Sequence, residues 1–166
     1  MPEPDRTELV CAAQRGDAIA MQELLGLLTP YVGRLCGPIA LDDGADATQE
    51  ALIAIFRNLG QLTEPAAVFG WARAIAVREA VRVARRSRRV VPAELADVPA
   101  AGDAELSVDI RDVLDRLAPE HRAILVLRDV EGLDEQTVGE LLKVPAGTVK
   151  SRLFRARRSF RKEWDR

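Results

Sequence analysis

The chain has 166 residues, of which 48% are hydrophobic, 30% charged and 4% aromatic. That is an ordinary globular balance, enough for one domain of usual size or two small ones, and it excludes a disordered chain. Two cysteines and one histidine, His121, exclude a disulfide framework and a clustered zinc site. The net charge of −2 hides a strong segregation. Residues 71–89 hold seven arginines against Glu79, and residues 143–166 hold nine basic residues against Glu163 and Asp165, so the remainder carries −15. Two cationic stretches predict a polyanion as partner, and the acidic remainder predicts a different one.

Helical periodicity runs through the chain and no alternating strand pattern competes with it, so the expected fold is all-α. The first helix is read from about Glu8 to Gln14, stopped by Arg15-Gly16-Asp17. A second follows through Met21, Leu24, Leu25 and Leu28 and is expected to end or bend at Thr29-Pro30. Asp42-Asp43-Gly44 marks a turn. The next helix carries Leu52, Ile55, Phe56 and Leu59 at i, i+3, i+4 and i+7, predicted as its buried face. Thr63-Glu64-Pro65 opens a long helix over about 66–89, with Trp71, Ala72, Ile75, Ala76, Ala80 and Val83 turned inward.

Residues 90–103 contain two prolines and no amphipathic stripe, and they read as a flexible linker. Four helices are expected beyond it, near 104–116, 119–130, 134–142 and 146–162, with Asp134 as an N-cap and Lys143-Val144-Pro145 as a tight break. The expected organisation is therefore two small helical domains, 1–89 and 104–166, joined by that linker. Cys11 and Cys36 read as reduced thiols packed as small hydrophobes. The absence of a signal peptide and of an apolar run near 20 residues predicts a cytoplasmic protein with no membrane insertion.

In the last helix Val149, Leu153, Ala156 and Phe160 recur at i, i+4, i+7 and i+11 as one apolar stripe, while Lys150, Ser151, Arg155 and Arg158 lie away from it and Arg152 flanks it. The preceding short helix offers Val138, Leu141 and Leu142 to that stripe, and Gly139 allows close approach. Two short helices, the second longer and basic, fit a helix-turn-helix that places Thr148, Lys150, Ser151, Arg152, Arg155 and Arg158 against base edges or phosphates. A solvated basic face is the plain alternative. It would also have to account for the compact spacing and for the absence of acids between Lys143 and Phe160. A membrane-surface helix needs a wider apolar stripe than this one.

Upstream, Asp43, Asp46, Gln49 and Glu50 share one side of a helix, and Arg78, Arg82, Arg85 and Arg89 recur at i, i+4, i+7 and i+11 with Arg86 beside them. Such a ridge suits a phosphate backbone. No nucleophile, glycine-rich loop or metal cluster accompanies these surfaces, so neither an enzyme nor a bound cofactor is expected.

The run from Leu117 to Lys162, with Pro119, Arg122, Arg128, Glu131-Gly132 and the stretch Gly147-Thr148-Val149-Lys150-Ser151-Arg152-Leu153, resembles region 4 of bacterial extracytoplasmic-function (ECF) sigma factors. The acidic helix resembles their region 2.2, and Trp71 with Ile75-Ala76 resembles their regions 2.3–2.4. The resemblance implies an alternative sigma subunit. Its acidic face would bind the clamp helices of the polymerase β′ subunit, its arginine ridge the −10 element, and its last helix the −35 element. Region 4 would also meet the β flap, and an anti-sigma protein would restrain the whole. Arg78 and Arg82 stand where many members have Asn and Asp, so the resemblance does not extend to the −10 sequence preferred. A helix-turn-helix regulator that binds an operator by itself is the other reading of the same residues.

Overall fold

The computed structural model describes the backbone of residues 3–90 and 105–166. The predicted linker therefore lies outside the described residues apart from Val90, and so does the Arg89 side chain. The described residues form eight α-helices and no strand.

Helix α1 spans Glu3–Gln14, starting earlier than its apolar pattern suggests, and Gly16 ends it with φ +94°, which a side chain would oppose. Asp17 then caps α2, Ala18–Ala40, its carboxylate accepting from the Ile19 and Ala20 amides at 3.0 Å. Of the two readings at Thr29-Pro30, an end or a continuation past a bend, the helix continues, for α2 runs through both Pro30 and Pro38. A proline forfeits the bond to the carbonyl four residues back. Those carbonyls belong here to Gly26 and Arg34, both exposed, so water can take the place of the lost donor.

One turn of 3-10 helix, Leu41–Asp43, leads into α3, Gly44–Asn58. Its buried stripe differs from the predicted one. Gly44, Ala47, Ala51 and Ile55 face the core, Leu52 is half-buried and Phe56 is 55% exposed. At its start α3 lies close against α2: a Cβ on Gly44 would stand 3.2 Å from the Gly37 Cα. Helix α4, Val68–Val90, follows a 3-10 turn at Pro65–Ala67 and buries Ala72, Ala76, Val77, Ala80, Val81, Val83 and Ala84. Trp71 and Ile75 are half-buried and pack on the rim of this core.

Helix α2 is the axle of this bundle, contacting α1, α3 and α4. The continuous helical stretch Ala18–Ala40 and its sequel to Gln61 does include a window long and apolar enough to cross a membrane, against the expectation from sequence. Leu24, Leu28, Val32, Leu35 and Ile39 show what that apolarity serves, since all are at most 1% exposed against the neighbouring helices. Cys36 is among them, its Sγ 3.7 Å from the Ala76 carbonyl, and burial pushes its thiol up to about 11. At about pH 8 only some thousandth of such a group is thiolate. Alkylation of the native chain followed by peptide mass mapping should therefore leave Cys36 unmodified, and denaturant should expose it.

The second group of helices is α5 (Glu105–Asp115), α6 (Pro119–Leu125, prolonged by a π turn at Val126–Val130), α7 (Glu135–Leu142) and α8 (Ala146–Trp164). Asp134 caps α7 as predicted, accepting from the Thr137 amide at 2.7 Å. Ala123, Ile124, Leu127 and Val138 join Val149 and Leu153 of α8, and this cluster is continuous with the core of the first bundle. Helix α6 packs on α2 and α4 as well as on α8.

Candidate nucleic-acid interface

The α7–α8 pair forms the predicted helix-turn-helix. Lys143 turns left-handed at φ 57°, and the Val144 amide returns to the Gly139 carbonyl at 2.9 Å. A Cβ on Gly139 would stand 2.6 Å from the Val144 carbonyl oxygen. The glycine is thus required by the turn itself, a tighter reason than helix approach alone. Val149, Leu153 and Ala156 are buried as expected, and Phe160 is half-buried, stacked at 6.2 Å on Trp164.

That packing fixes which way α8 points its cations. Lys150, Ser151, Arg155 and Arg158 are exposed, while Thr148 and Arg152 are half-exposed. The Ser151 hydroxyl donates to the Thr148 carbonyl at 3.1 Å, and Lys150, Arg152, Arg155 and Arg158 form no ion pair with any described residue. Arg157 turns the other way and pairs with Asp129 on the π turn. Phe154, 67% exposed, stands between Lys150 and Arg158 on the outward face, four residues from each. Its phenyl lies off the apolar stripe, a signal present in the sequence but not used there.

The arginine ridge of α4 is arranged differently. Arg78, Arg82, Arg85 and Arg86 are exposed, but three of them meet carboxylates. Arg82 donates to Glu79 at 2.6 Å and to Glu50 at 3.2 Å, Arg86 pairs with Asp46 at 3.2 Å, and Arg85 pairs with Glu120 of α6. Arg78 donates to the Ala74 carbonyl at 3.0 Å. The sequence treats the acidic helix and the basic ridge as separate surfaces, whereas the fold lays Asp46 and Glu50 along the edge of the ridge. Asp43 and Gln49 complete the acidic side, Asp43 half-exposed in the turn before α3 and Gln49 fully outward. Such exposed pairs are worth about 0–1 kcal/mol each, so a stronger polyanion could displace them cheaply.

The ridge and α8 share one cleft of about 520 Å³, lined by Arg78, Val81, Arg82, Arg85, Arg86, Glu120, Leu142 and Arg152. Burial raises the Glu120 carboxyl, but its own backbone hydrogen bond and Arg85 together outweigh that and hold it below the usual range. Beside it, burial lowers His121, with Arg155 and Arg152 adding to the effect. Among the described residues no cluster of His, Cys, Asp and Glu could hold a metal ion.

Two helical bundles, a helix-turn-helix with an unpaired cationic face among the described residues and a second cationic ridge make an all-helical chain whose basic surfaces suit a polyanion. Comparison with known proteins is more specific. Residues 107–160 match the family described as Sigma-70, region 4. The chain is 32% identical over 161 residues to the ECF RNA polymerase sigma factor SigM of Mycobacterium tuberculosis, an alignment covering 93% of this chain and 82% of that protein. It is 36% identical over 131 residues to the ECF RNA polymerase sigma factor SigE of Mycolicibacterium smegmatis, covering 72% of this chain and 51% of that one, so it spans about half the length of that relative. Among solved structures, CnrH in complex with the cytosolic domain of CnrY shares the fold with a TM-score of 0.66 at 18% identity, over 96% of this chain and 97% of that one. The sigma factor RpoE in complex with the anti-sigma factor NepR from Bartonella quintana does so at 0.62 and 21%, over 87% and 96%. The chain belongs to the ECF RNA polymerase sigma factors.

Proposed function

We propose that this chain directs promoter-specific initiation by core RNA polymerase, without covalent chemistry of its own. The outward face of α8 carries this reading: Lys150, Ser151, Arg155 and Arg158 stand exposed, no ion pair with a described residue holds the three cations, and Val149 and Leu153 fix the helix beneath them. In this reading α8 enters the −35 major groove, with Thr148 and Arg152 at its flank and Phe154 available to a thymine methyl. The ridge Arg78, Arg82, Arg85, Arg86 and Arg89 holds the −10 region, and Asp43, Asp46, Gln49 and Glu50 seat the chain on the β′ clamp helices, with the β flap meeting the second domain. The working division is 1–89, 90–103 and 104–166, and the setting is the cytoplasm. Both structural neighbours above were captured with partners, RpoE with an anti-sigma factor and CnrH with CnrY, and we extend that kind of restraint to this chain.

Run-off transcription with purified core polymerase on a promoter library tests the proposal. Promoter-specific RNA made only when this chain is added is the expected result. Tight operator binding by the chain alone, with no transcript, would point to a free-standing regulator instead. Within that assay, replacing Lys150 and Arg152 by alanine should weaken −35 discrimination by about 1–3 kcal/mol for each lost bidentate base contact, and by less if they touch only phosphate. Unchanged −35 preference in the double variant would remove both residues from the interface.

A further inference from the structure

Arginines from two different helices converge on one concave space. Arg78, Arg82, Arg85 and Arg86 of α4 supply one side of the cleft described above, and Arg152 reaches into it from α8. Val81 of α4 and Leu142 of α7 add apolar surface to the lining. Its volume of about 520 Å³ falls within the roughly 300–1,000 Å³ of small-molecule sites, which combine apolar walls with a few converging polar groups.

Charge around the cleft is unevenly satisfied. Arg82 meets Glu79 and Glu50, Arg86 meets Asp46, and Arg85 meets Glu120, all through exposed guanidinium groups whose pairs add little stability. Arg78 donates only to the Ala74 carbonyl of its own helix, and Arg152 forms no ion pair with a described residue. Of the four carboxylates, Glu120 alone lines the space itself. The lining is also held in place. Glu131 accepts from the Tyr31 hydroxyl at 3.1 Å and lies 3.6 Å from Arg73, while Arg122 donates to the Ile39 carbonyl at 2.8 Å, so the α6 region is fixed on the first bundle. Helix α8 packs on α6 in turn. A site assembled this way loses little freedom when a small anion enters it.

Guanidinium groups grip phosphate oxygens through parallel N–H···O bonds and stack their faces on planar rings. A single phosphate would use few of these donors and leave Val81 and Leu142 bare. The ligand that matches the whole lining carries several phosphates and a planar ring. We propose that the cleft is a binding site for a nucleoside polyphosphate, its phosphates drawn to Arg78 and Arg152 with the paired arginines as further donors, and its base set against Val81 and Leu142. The site goes beyond promoter recognition and stands on the lining of the cleft alone.

Isothermal titration of the full chain at low salt, without polymerase or DNA, tests the site with ATP, GTP, inorganic tripolyphosphate and guanosine. Saturable binding of about one nucleotide per chain is expected, with tripolyphosphate about threefold weaker or more and guanosine weaker still. Arg78→Ala with Arg152→Ala should weaken nucleotide binding about tenfold or more. Glu120→Gln removes the one carboxylate inside the cleft and should tighten it about threefold to tenfold. Arg161→Ala with Lys162→Ala removes two exposed cations of α8 that lie outside the lining and should change nothing. Circular dichroism checks that every variant keeps its helices. Absence of saturable binding overturns the site. An equal loss in both pairs of alanine variants overturns it as well, because that marks attraction to overall charge. Tripolyphosphate binding as tightly as ATP and GTP overturns the base-binding surface. None of these results depends on transcription, which the run-off assay decides separately.

Discussion

Reversing Asp46 and Glu50 to lysine should abolish association with core polymerase while leaving the helical fold intact. The asymmetry comes from where the two carboxylates sit. Within the chain they make exposed pairs with Arg86 and Arg82, at 3.2 Å each, and surface pairs of this kind contribute about 0–1 kcal/mol. Against a basic partner helix, two reversals replace two attractions by two repulsions, a penalty of several kcal/mol, roughly a hundredfold or more in affinity. Gel filtration with purified core should show the variant eluting alone with unchanged circular dichroism. A second readout separates this effect from a general loss. Lysines beside Arg82 and Arg86 add positive charge to the ridge, so non-specific DNA binding at low salt should strengthen while core binding is lost. Normal co-elution with core would remove α3 as the docking surface.

The second large effect is expected at Arg122, whose side chain is 5% exposed. Its guanidinium donates to Ile39 at the end of α2, to Leu114 in the last turn of α5 at 3.1 Å, and to Leu117 just beyond α5 at 2.7 Å. A cation at helix C-termini also meets the negative end of each dipole. Alanine there withdraws donors from the carbonyls of Ile39, Leu114 and Leu117 and leaves a cavity where the buried side chain lay, a loss of about 3–5 kcal/mol. For a chain of this size that lowers Tm by about 10 °C. Lysine, with one point of attachment, should recover part of the difference. A melting curve unchanged in Arg122→Ala would show that the buried guanidinium contributes nothing to joining these helices.

Arg122 also illustrates how legibility divided. As a sequence letter it is the single arginine of α6, marked only by its place in a family pattern. Its role depends on α6 lying across the ends of two other helices, which no local spacing encodes. Asp134 and the break at Lys143 were legible because capping and turn chemistry act within four residues. The α8 stripe was legible because one helix face repeats locally. Phe56 was misread for the opposite reason: periodicity gives a face, but where its edge falls is set by how α3 sits on α2 and α4, which buries Ala47, Ala51 and Ile55 and leaves Phe56 outside. Pro30 reads as a helix end or a bend until the exposure of Gly26 shows that its carbonyl can be solvated.

By itself the sequence determined an all-helical chain, the helix-turn-helix with its outward cations, and the separation of charge into two basic stretches and an acidic helix. Those properties follow from side-chain period, from caps and from composition, all of which are local. Only the tertiary structure decided that the acidic helix flanks the arginine ridge, that Glu120 and Glu131 reach across to the first bundle, and that both cationic surfaces line one cleft. Ion pairs form between groups that the packing of apolar faces happens to bring within 4 Å, and the sequence distance between Arg85 and Glu120, 35 residues, carries no record of it.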